Sequence, residues 1–298
     1  MNLDDLPVTT SLDHRGARSA RIHDWLAMGI ENYRADREAA IALLDPLPQA
    51  EQHVRTGRAF LQHTVRTLAT DGFDQFVDLG CGLPTWHRGN THEAAQAIHP
   101  TARVVYVDTD PMVLAHARTE LEDNEHIRTA DCDLRDLAAL KLATADFLDW
   151  DRRLAVLLSM VLDCLPDEDG LVNPADVVRT LADGLPPDSV IAVVQLVSDD
   201  PTVRNAVTEI MTATTGGRWG RMRDTAFIHQ CTRGLEIIPP GPGDVTILKP
   251  GLAPRRRKGR QDTSATWGAL IRTPAAPTST SPPPRAIAPW TPTASTTT

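Results

Sequence analysis

The sequence predicts an α/β fold with a mostly parallel, doubly wound sheet, and two observations carry that prediction. From residue 73 onward, apolar strand-like segments alternate with segments of helical periodicity. The fourth strand-like segment, LAVLLSMVL at 154–162, is apolar at nearly every position, which is typical of a strand covered by helices on both faces. Alternating strands and helices favour a parallel sheet with right-handed crossovers.

The first 72 residues predict only helices, which we interpret as a separate N-terminal cap. In the segment 19–44, Ile22, Trp25, Leu26 and Ile30 recur at helical spacing before a Gly-Ile-Glu-Asn interruption. A second helical segment starts at residue 50 and ends at Gly72, a residue type that commonly terminates helices.

The segment 73–273 predicts one domain with seven strands. Asn90 or Thr91 is placed to cap its first helix, and Pro111 suits the first position of the second. The predicted strands are 76–80, 103–108, 126–131, 154–162, 189–197, 245–249 and 266–273, and the predicted helices are 91–99, 111–122, 174–185 and 203–215. The basic run at 255–260 is interpreted as a solvated loop, and the Pro-, Thr- and Ser-rich segment 274–298 as a disordered tail.

Composition excludes several classes of protein. The net charge of −9 argues against a general nucleic-acid binder, which normally presents a basic face. The longest apolar runs are far shorter than the roughly 20 residues that cross a bilayer, and the N-terminus lacks an apolar signal core. Four scattered cysteines without a C-x-x-C pair indicate free thiols, and the neighbouring histidines 87, 92 and 99 lack the spacing of a metal site. We therefore expect a soluble, cytoplasmic protein without a bound metal.

The expected ligand site lies at the carboxyl ends of the strands, where doubly wound sheets bind their ligands. Gly80 and Gly82 follow the first strand and allow a ligand to approach the backbone closely. Asp108 ends the second strand, where a carboxylate binds ribose hydroxyls. Asp131 and Asp133 follow the third strand, where either accepts a hydrogen bond from an adenine amino group or caps the next turn.

These positions favour S-adenosylmethionine (SAM) over a dinucleotide. A dinucleotide pyrophosphate requires a third glycine and a free helix N-terminus, but Thr85 occupies the glycine position and Leu83-Pro84 fills the region. SAM carries no phosphate and needs no such cradle. Because SAM and NAD enzymes share the acidic residue after the second strand, Asp108 alone does not separate the two.

The sequence resembles a known family, the actinobacterial SAM-dependent methyltransferases of the "S-adenosyl methyltransferase" type, formerly a domain of unknown function. The resemblance covers residues 15 to 273. It rests on ARIHDWLAMGIENYRADREAA, DLGCGLPT with NTHEAAQ, ARVVYVDTDPMVLAHAR, ADCDLRD, LPDEDG, LPPDSV, LKPGLAP and WGALIR, in this order. It implies a class I methyltransferase-like Rossmann fold with a helical cap over the SAM pocket.

The resemblance also implies roles for individual residues. It places Gly80, Cys81 and Gly82 against the methionine part of SAM, Asp108 on the ribose, Thr109, Asp110, Asp133 and Leu134 around the adenine, and Ser159 and Met160 beside the sulfonium. Arg21, Asn32 and Tyr33 match positions that close over cofactor or substrate; the alternative is that they serve helix packing and the surface.

The sequence departs from the family after two strands. Asp163 stands in LDCLPD where the family usually carries histidine, and Val194-Gln195-Leu196 stands where L-S-H is frequent. Asp163 is therefore a weak candidate for a general base.

Three functional hypotheses follow. We favour a SAM-dependent methyltransferase acting on a small molecule. The lost histidines motivate a non-catalytic SAM-binding regulatory protein as the alternative. A nucleotide-dependent oxidoreductase is disfavoured by the absent third glycine.

Overall fold

The computed structural model describes residues 16–85, 89–165, 173–239, 241–245 and 263–274. Within them the chain forms one eight-stranded sheet with helices on both faces. The strands are β1 Gln75–Leu79, β2 Arg103–Asp108, β3 Ile127–Asp131, β4 Ala155–Ser159, β5 Val190–Ser198, β6 Glu236–Ile237, β7 Gly243–Asp244 and β8 Ser264–Arg272. The helices are α1 Ser19–Leu26, α2 Arg34–Leu43, α3 Ala50–Thr70, α4 Thr91–Gln96, α5 Pro111–Glu120, α6 Leu137–Thr144, α7 Pro174–Gly184, α8 Pro201–Thr215 and α9 Thr225–Thr232.

The sheet confirms the predicted doubly wound topology. Its order is β3-β2-β1-β4-β5-β8-β6, with β1 to β5 parallel and β8 antiparallel to both of its neighbours in that order. The order reverses at β1, so the carboxyl ends of β1 and β4 border a crevice suited to a ligand.

The predicted count of seven strands is wrong by one. Two-residue strands, β6 and β7, pair with different positions on β8. Strands of two residues are too short to show an alternating pattern in the sequence, and only their hydrogen bonds to β8 identify them as strands. Of the predicted strand 245–249, only Val245, which follows β7, is among the described residues. The basic loop 255–260 and the tail beyond Pro274 lie outside them.

Apolar burial on both faces of the sheet explains why β4 lacks a polar face. Val156 and Leu158 pack into one core, and Ala155 and Leu157 into the other, all fully buried. The sequence missed α6 and α9, whose starts are marked only by the capping aspartates Asp136 and Asp224. Among the described helices, none is long and apolar enough to cross a membrane.

The N-terminal segment is helical, as predicted, with α1, α2 and α3 preceding the sheet. Ile22 and Leu26 are buried in a third core together with residues of α8 and Met160. The helical pattern does not extend to Ile30, which is 61% exposed, because α1 ends at Leu26 and Met28 adopts a left-handed backbone. The long helix α3 packs against β4, β5 and β8, so it belongs to the wall of the sheet crevice.

Candidate functional site

A cavity of about 720 Å³ opens at the carboxyl ends of β1 to β4, between them and the N-terminal helices. All ten positions at which the sequence predicts cofactor contacts line this cavity. They are Gly80, Cys81, Gly82, Asp108, Thr109, Asp110, Asp133, Leu134, Ser159 and Met160. Parallel strands place their carboxyl ends at one edge of a sheet, which is why residues far apart in sequence meet here.

The turn after β1 contains two glycines with different neighbours. Gly80 and Gly82 both have φ of +65°, a left-handed conformation that favours glycine. A Cβ atom on Gly80 would lie 2.2 Å from Val161 Cγ2, whereas a Cβ on Gly82 would have no atom within 4 Å. Gly80 is therefore required for close packing, and Gly82 leaves open space at the cavity wall.

Alanine at these two glycines is expected to separate stability from ligand binding. Gly80→Ala is expected to lower the free energy of unfolding by about 2 kcal/mol more than Gly82→Ala, because only Gly80 adds an overlap with Val161 to the shared backbone strain. Chemical denaturation of both variants measures this difference. Equal losses of stability would show that the Val161 side chain relaxes freely. Gly82→Ala is the matched control for backbone strain. Its loss of SAM-binding free energy is expected to exceed its loss of unfolding free energy.

Asp108 is held in place by backbone donors. Its Oδ2 accepts from the Gly82 N–H at 3.1 Å, and its Oδ1 accepts from the N–H groups of Thr109 and Asp110 at 2.8 and 2.9 Å. Burial raises the pKa of Asp108, while these backbone hydrogen bonds oppose the rise. The carboxylate is thereby fixed at the cavity wall, and Oδ2, which accepts only one backbone hydrogen bond, keeps a lone pair for a ligand's hydroxyl group.

The structure distinguishes the two aspartates at the carboxyl end of β3, Asp131 and Asp133. Asp133 lines the cavity, whereas Asp131 is exposed and is not among the lining residues. Asp133 pairs with Arg135, whose guanidinium lowers the pKa of that carboxyl. The cap of α6 is Asp136, which accepts from the Ala139 N–H at 2.8 Å. Asp133 therefore combines a turn-stabilising ion pair with a position on the cavity wall.

The sequence interpretation missed several charged cavity residues, and Asp78 and Arg58 are two of them. Asp78, at the end of β1, is 6% exposed and accepts from the Thr91 hydroxyl at 2.6 Å. Burial raises its pKa to about 6, although Arg58 opposes the rise. Arg58 lies on α3, and desolvation lowers the pKa of its guanidinium. The glycine turn after Asp78 was a usable signal, but nothing local marks Arg58 within its helix.

The structure does not bring Arg21, Asn32 and Tyr33 to the cavity wall. The buried Arg21 donates from Nε to Asp36 Oδ2 at 2.8 Å, and the backbone N–H of Tyr33 donates to the same oxygen. Asn32 donates to the Asp24 carboxylate at 2.7 Å. These contacts tie α1 to the start of α2, which favours the packing alternative over contact with cofactor or substrate.

Asp163 lies in a short 3₁₀ helix, Leu162–Cys164, and is 4% exposed. The neighbouring Cys164 lines the cavity and Asp163 does not, because consecutive side chains of a 3₁₀ helix point about 120° apart. The candidate base is therefore buried beside the cavity and not on its wall. Among the described residues, no group of histidine, cysteine and acidic side chains could hold a metal ion.

Comparison with known proteins identifies the family. The profile of the family described as "S-adenosyl methyltransferase" matches residues 6–274. A crystal structure of a DUF574 family protein from Streptomyces avermitilis is 31% identical, covers 88% of this chain and 100% of its own, and superposes with a TM-score of 0.75. A Thermobifida fusca protein described as a candidate methyltransferase is 29% identical, covers 89% and 98% of the two chains, and superposes with a TM-score of 0.74. No curated protein matches the sequence.

The fold is that of the class I methyltransferases, as the resemblance implied, and SAM is the cofactor of the matched family. With a family match over nearly the whole chain, this protein belongs to the S-adenosyl methyltransferase family.

Proposed function

We propose that the protein binds SAM in the cavity at the carboxyl ends of β1 to β4 and transfers its methyl group to a small-molecule acceptor. The observation that carries the proposal is the joint presence, on one wall, of the open Gly82 turn, the fixed Asp108 carboxylate and Asp133. A cavity of about 720 Å³ is large enough for SAM together with a small acceptor.

Each part of SAM has a complementary part of the wall. Asp108 would accept a hydrogen bond from the ribose. The adenine would lie between Thr109, Asp110, Asp133 and Leu134. The methionine part would lie along Gly80 to Gly82, and Ser159 and Met160 would border the sulfonium. Asp78 and Arg58 are close enough for electrostatic interaction, and this pair of opposite charges suits the ammonium and carboxylate groups of the methionine end.

Methyl transfer requires mainly that the acceptor be aligned with the methyl group of SAM. SAM, when bound, supplies a methyl group already activated on a sulfonium, so the protein contributes proximity, orientation and exclusion of water. Gly82 and Asp108 fix the position of the cofactor, and the N-terminal helices close the opposite side of the cavity. His23 of α1 lines that side, and burial lowers its pKa to about 4. Its imidazole is therefore neutral at neutral pH and able to accept a hydrogen bond from the methyl acceptor.

Isothermal titration with SAM and with S-adenosylhomocysteine (SAH) tests the proposal, with NAD as the comparison ligand. Saturable binding of SAM and SAH, without binding of NAD, is expected. A screen of small acceptors for SAH formation then tests turnover. If neither SAM nor SAH binds, the proposed function is wrong. If both bind tightly and no acceptor class increases SAM consumption, the non-catalytic alternative gains support.

Asp78→Asn is expected to stabilise the protein without ligand and to weaken SAM binding. The raised pKa means that the folded state holds this proton more tightly than the unfolded state, so the carboxyl reduces stability as the pH rises from about 4 to about 6. Removing the charge should increase the free energy of unfolding by about 3 kcal/mol at pH 7 and have little effect near pH 4. The amide retains an oxygen that accepts from Thr91.

Urea denaturation at pH 4 and pH 7 measures the stability change, and titration with SAH at pH 7 measures the loss of binding. Asp131→Asn is the matched control, because Asp131 is exposed. Glu93→Gln is unsuitable as a control, because Glu93 takes part in the cap of α4. Equal stability of Asp78→Asn and wild type at both pH values would contradict the assigned cost of burying this charge.

A further inference from the structure

Charge is segregated between the two sides of the cavity. The carboxyl ends of the strands contribute the acidic lining residues Asp78, Asp108, Asp110 and Asp133, and Arg135, which also lines this side, is ion-paired with Asp133. The opposite side, built from α1, α3 and the segment after α8, contributes Arg18, Arg58, Arg218 and His23 and, among the described residues, no carboxylate. A cofactor with a sulfonium, an ammonium and hydroxyl groups suits the acidic side, and Arg58 suits the carboxylate of its methionine end, so Arg18 and Arg218 are left for another molecule.

The two segments that carry Arg18 and Arg218 meet at one atom. The Ser19 hydroxyl lies 3.4 Å from Cys164 Sγ, and the Trp219 side chain is close enough to the same thiol to affect its pKa. Each arginine directly precedes one of these anchored residues. Burial raises the pKa of Cys164 to about 12, so the thiol is neutral and supplies no counter-charge.

The guanidinium groups of Arg18 and Arg218 have no ion pair with a carboxylate in the described part of the chain. Asp36, the nearest acid in the hydrogen-bond network of α1, accepts from the Arg18 backbone N–H and from the Arg21 side chain. Arg18 and Arg218 therefore present available donors to the cavity, and guanidinium groups pair well with the two oxygens of a carboxylate or phosphate.

We infer that the methyl acceptor is a small anion, whose carboxylate or phosphate group is held by Arg18 and Arg218. The inference rests on the proposed function, since it assigns Arg18 and Arg218, which line the same cavity as SAM, to the acceptor. Trp219 and Leu165 add apolar surface next to these arginines, which suits an acceptor with a ring or a short apolar body beside its anionic group. Specificity then comes from charge, because a neutral analogue leaves both guanidinium groups without a partner.

The test is isothermal titration into protein saturated with SAH, using matched probes that differ in charge. The pairs are benzoate with benzamide, 4-hydroxybenzoate with 4-hydroxybenzamide, and phenyl phosphate with phenol, with inorganic phosphate as the bare anion. Wild type is expected to bind at least one anion about tenfold or more tightly than its neutral partner. Preference for phenyl phosphate over the benzoates identifies phosphate as the recognised group, and the reverse preference identifies carboxylate.

The double variant Arg18→Gln/Arg218→Gln is expected to lose the preference for anions, while Arg55→Gln, an exposed arginine one turn before Arg58, keeps it. SAH affinity reports separately on the proposed function. If wild type fails to bind SAH, the proposed function falls; if SAH binds normally in all variants, only the acceptor inference is at stake. It is overturned if neutral and anionic probes bind alike, if the double variant retains the preference, or if no anion binds at up to about 10 mM.

Discussion

Asp108→Ala is expected to weaken SAM and SAH binding about 100-fold. The proposed site gives Asp108 a hydrogen bond from a ribose hydroxyl, and a hydrogen bond to a charged group contributes about 1.5–3 kcal/mol, which reaches about 100-fold in affinity. The carboxylate is already oriented by the N–H groups of Gly82, Thr109 and Asp110, so the ligand spends little free energy on ordering it. Isothermal titration with SAH gives the dissociation constants directly.

Two further variants show whether the loss is specific. Asp108→Asn keeps an oxygen for the N–H groups of Thr109 and Asp110 and is expected to lose at least about tenfold in affinity, and circular dichroism of this variant checks that the fold is retained. Asp131→Ala is the matched control, because Asp131 pairs with Asp108 in register at the same edge of the sheet but is exposed outside the cavity. If Asp108→Ala and Asp131→Ala bind SAH equally well, the ribose does not lie on Asp108.

Arg21→Ala is expected to reduce the free energy of unfolding by about 3–5 kcal/mol. The side chains of Arg21 and Asp36 are 3% and 0% exposed, and their nearest atoms lie 2.8 Å apart. Removing the guanidinium leaves a buried carboxylate without its cation, and the two remaining backbone donors, from Arg18 and Tyr33, compensate only in part. Thermal and urea denaturation, followed by circular dichroism, measure the loss.

Two comparisons interpret that loss. Arg34→Ala removes an ion pair with Glu38 in which both side chains are largely exposed, and it is expected to change stability by less than about 0.5 kcal/mol. Arg21→Met/Asp36→Leu removes both charges and should recover much of the stability lost in Arg21→Ala. If Arg21→Ala instead leaves stability unchanged and weakens SAH binding, Arg21 acts at the cavity as the resemblance implied.

The sequence predicted which strand-end residues line the cavity, because that side is encoded locally. The Gly80 and Gly82 turn, Asp108 and Asp133 lie at the end of a strand or within a few residues of it, and residues at the carboxyl ends of parallel strands necessarily meet at one edge. Knowing the strands was therefore sufficient to know which residues share the cavity. The strand count failed only for β6 and β7, which exist through their pairing with β8 and not through a pattern of their own.

The opposite side of the cavity was not predictable in this way. Arg58 and His23 lie on helices whose periodicity shows which face is apolar, but not which polar residue faces a cavity. Arg21 is the opposite case. The resemblance placed it near the cofactor or substrate, but its side chain is buried in an ion pair with Asp36. Asp163 was the candidate base, but its neighbour Cys164 lines the cavity instead. One turn of 3₁₀ helix decides which of the two side chains faces the cavity.

The sequence by itself determined the fold class, the five parallel strands, the family and the residues at the strand ends, because each depends on local patterns or on the edge shared by parallel strands. Only the tertiary structure decided how α1, α3 and the segment after α8 face that edge, and thus that Arg18, Arg58 and Arg218 line the cavity. The physical reason is that helix packing depends on side-chain fit between segments distant in the chain, which no local pattern encodes.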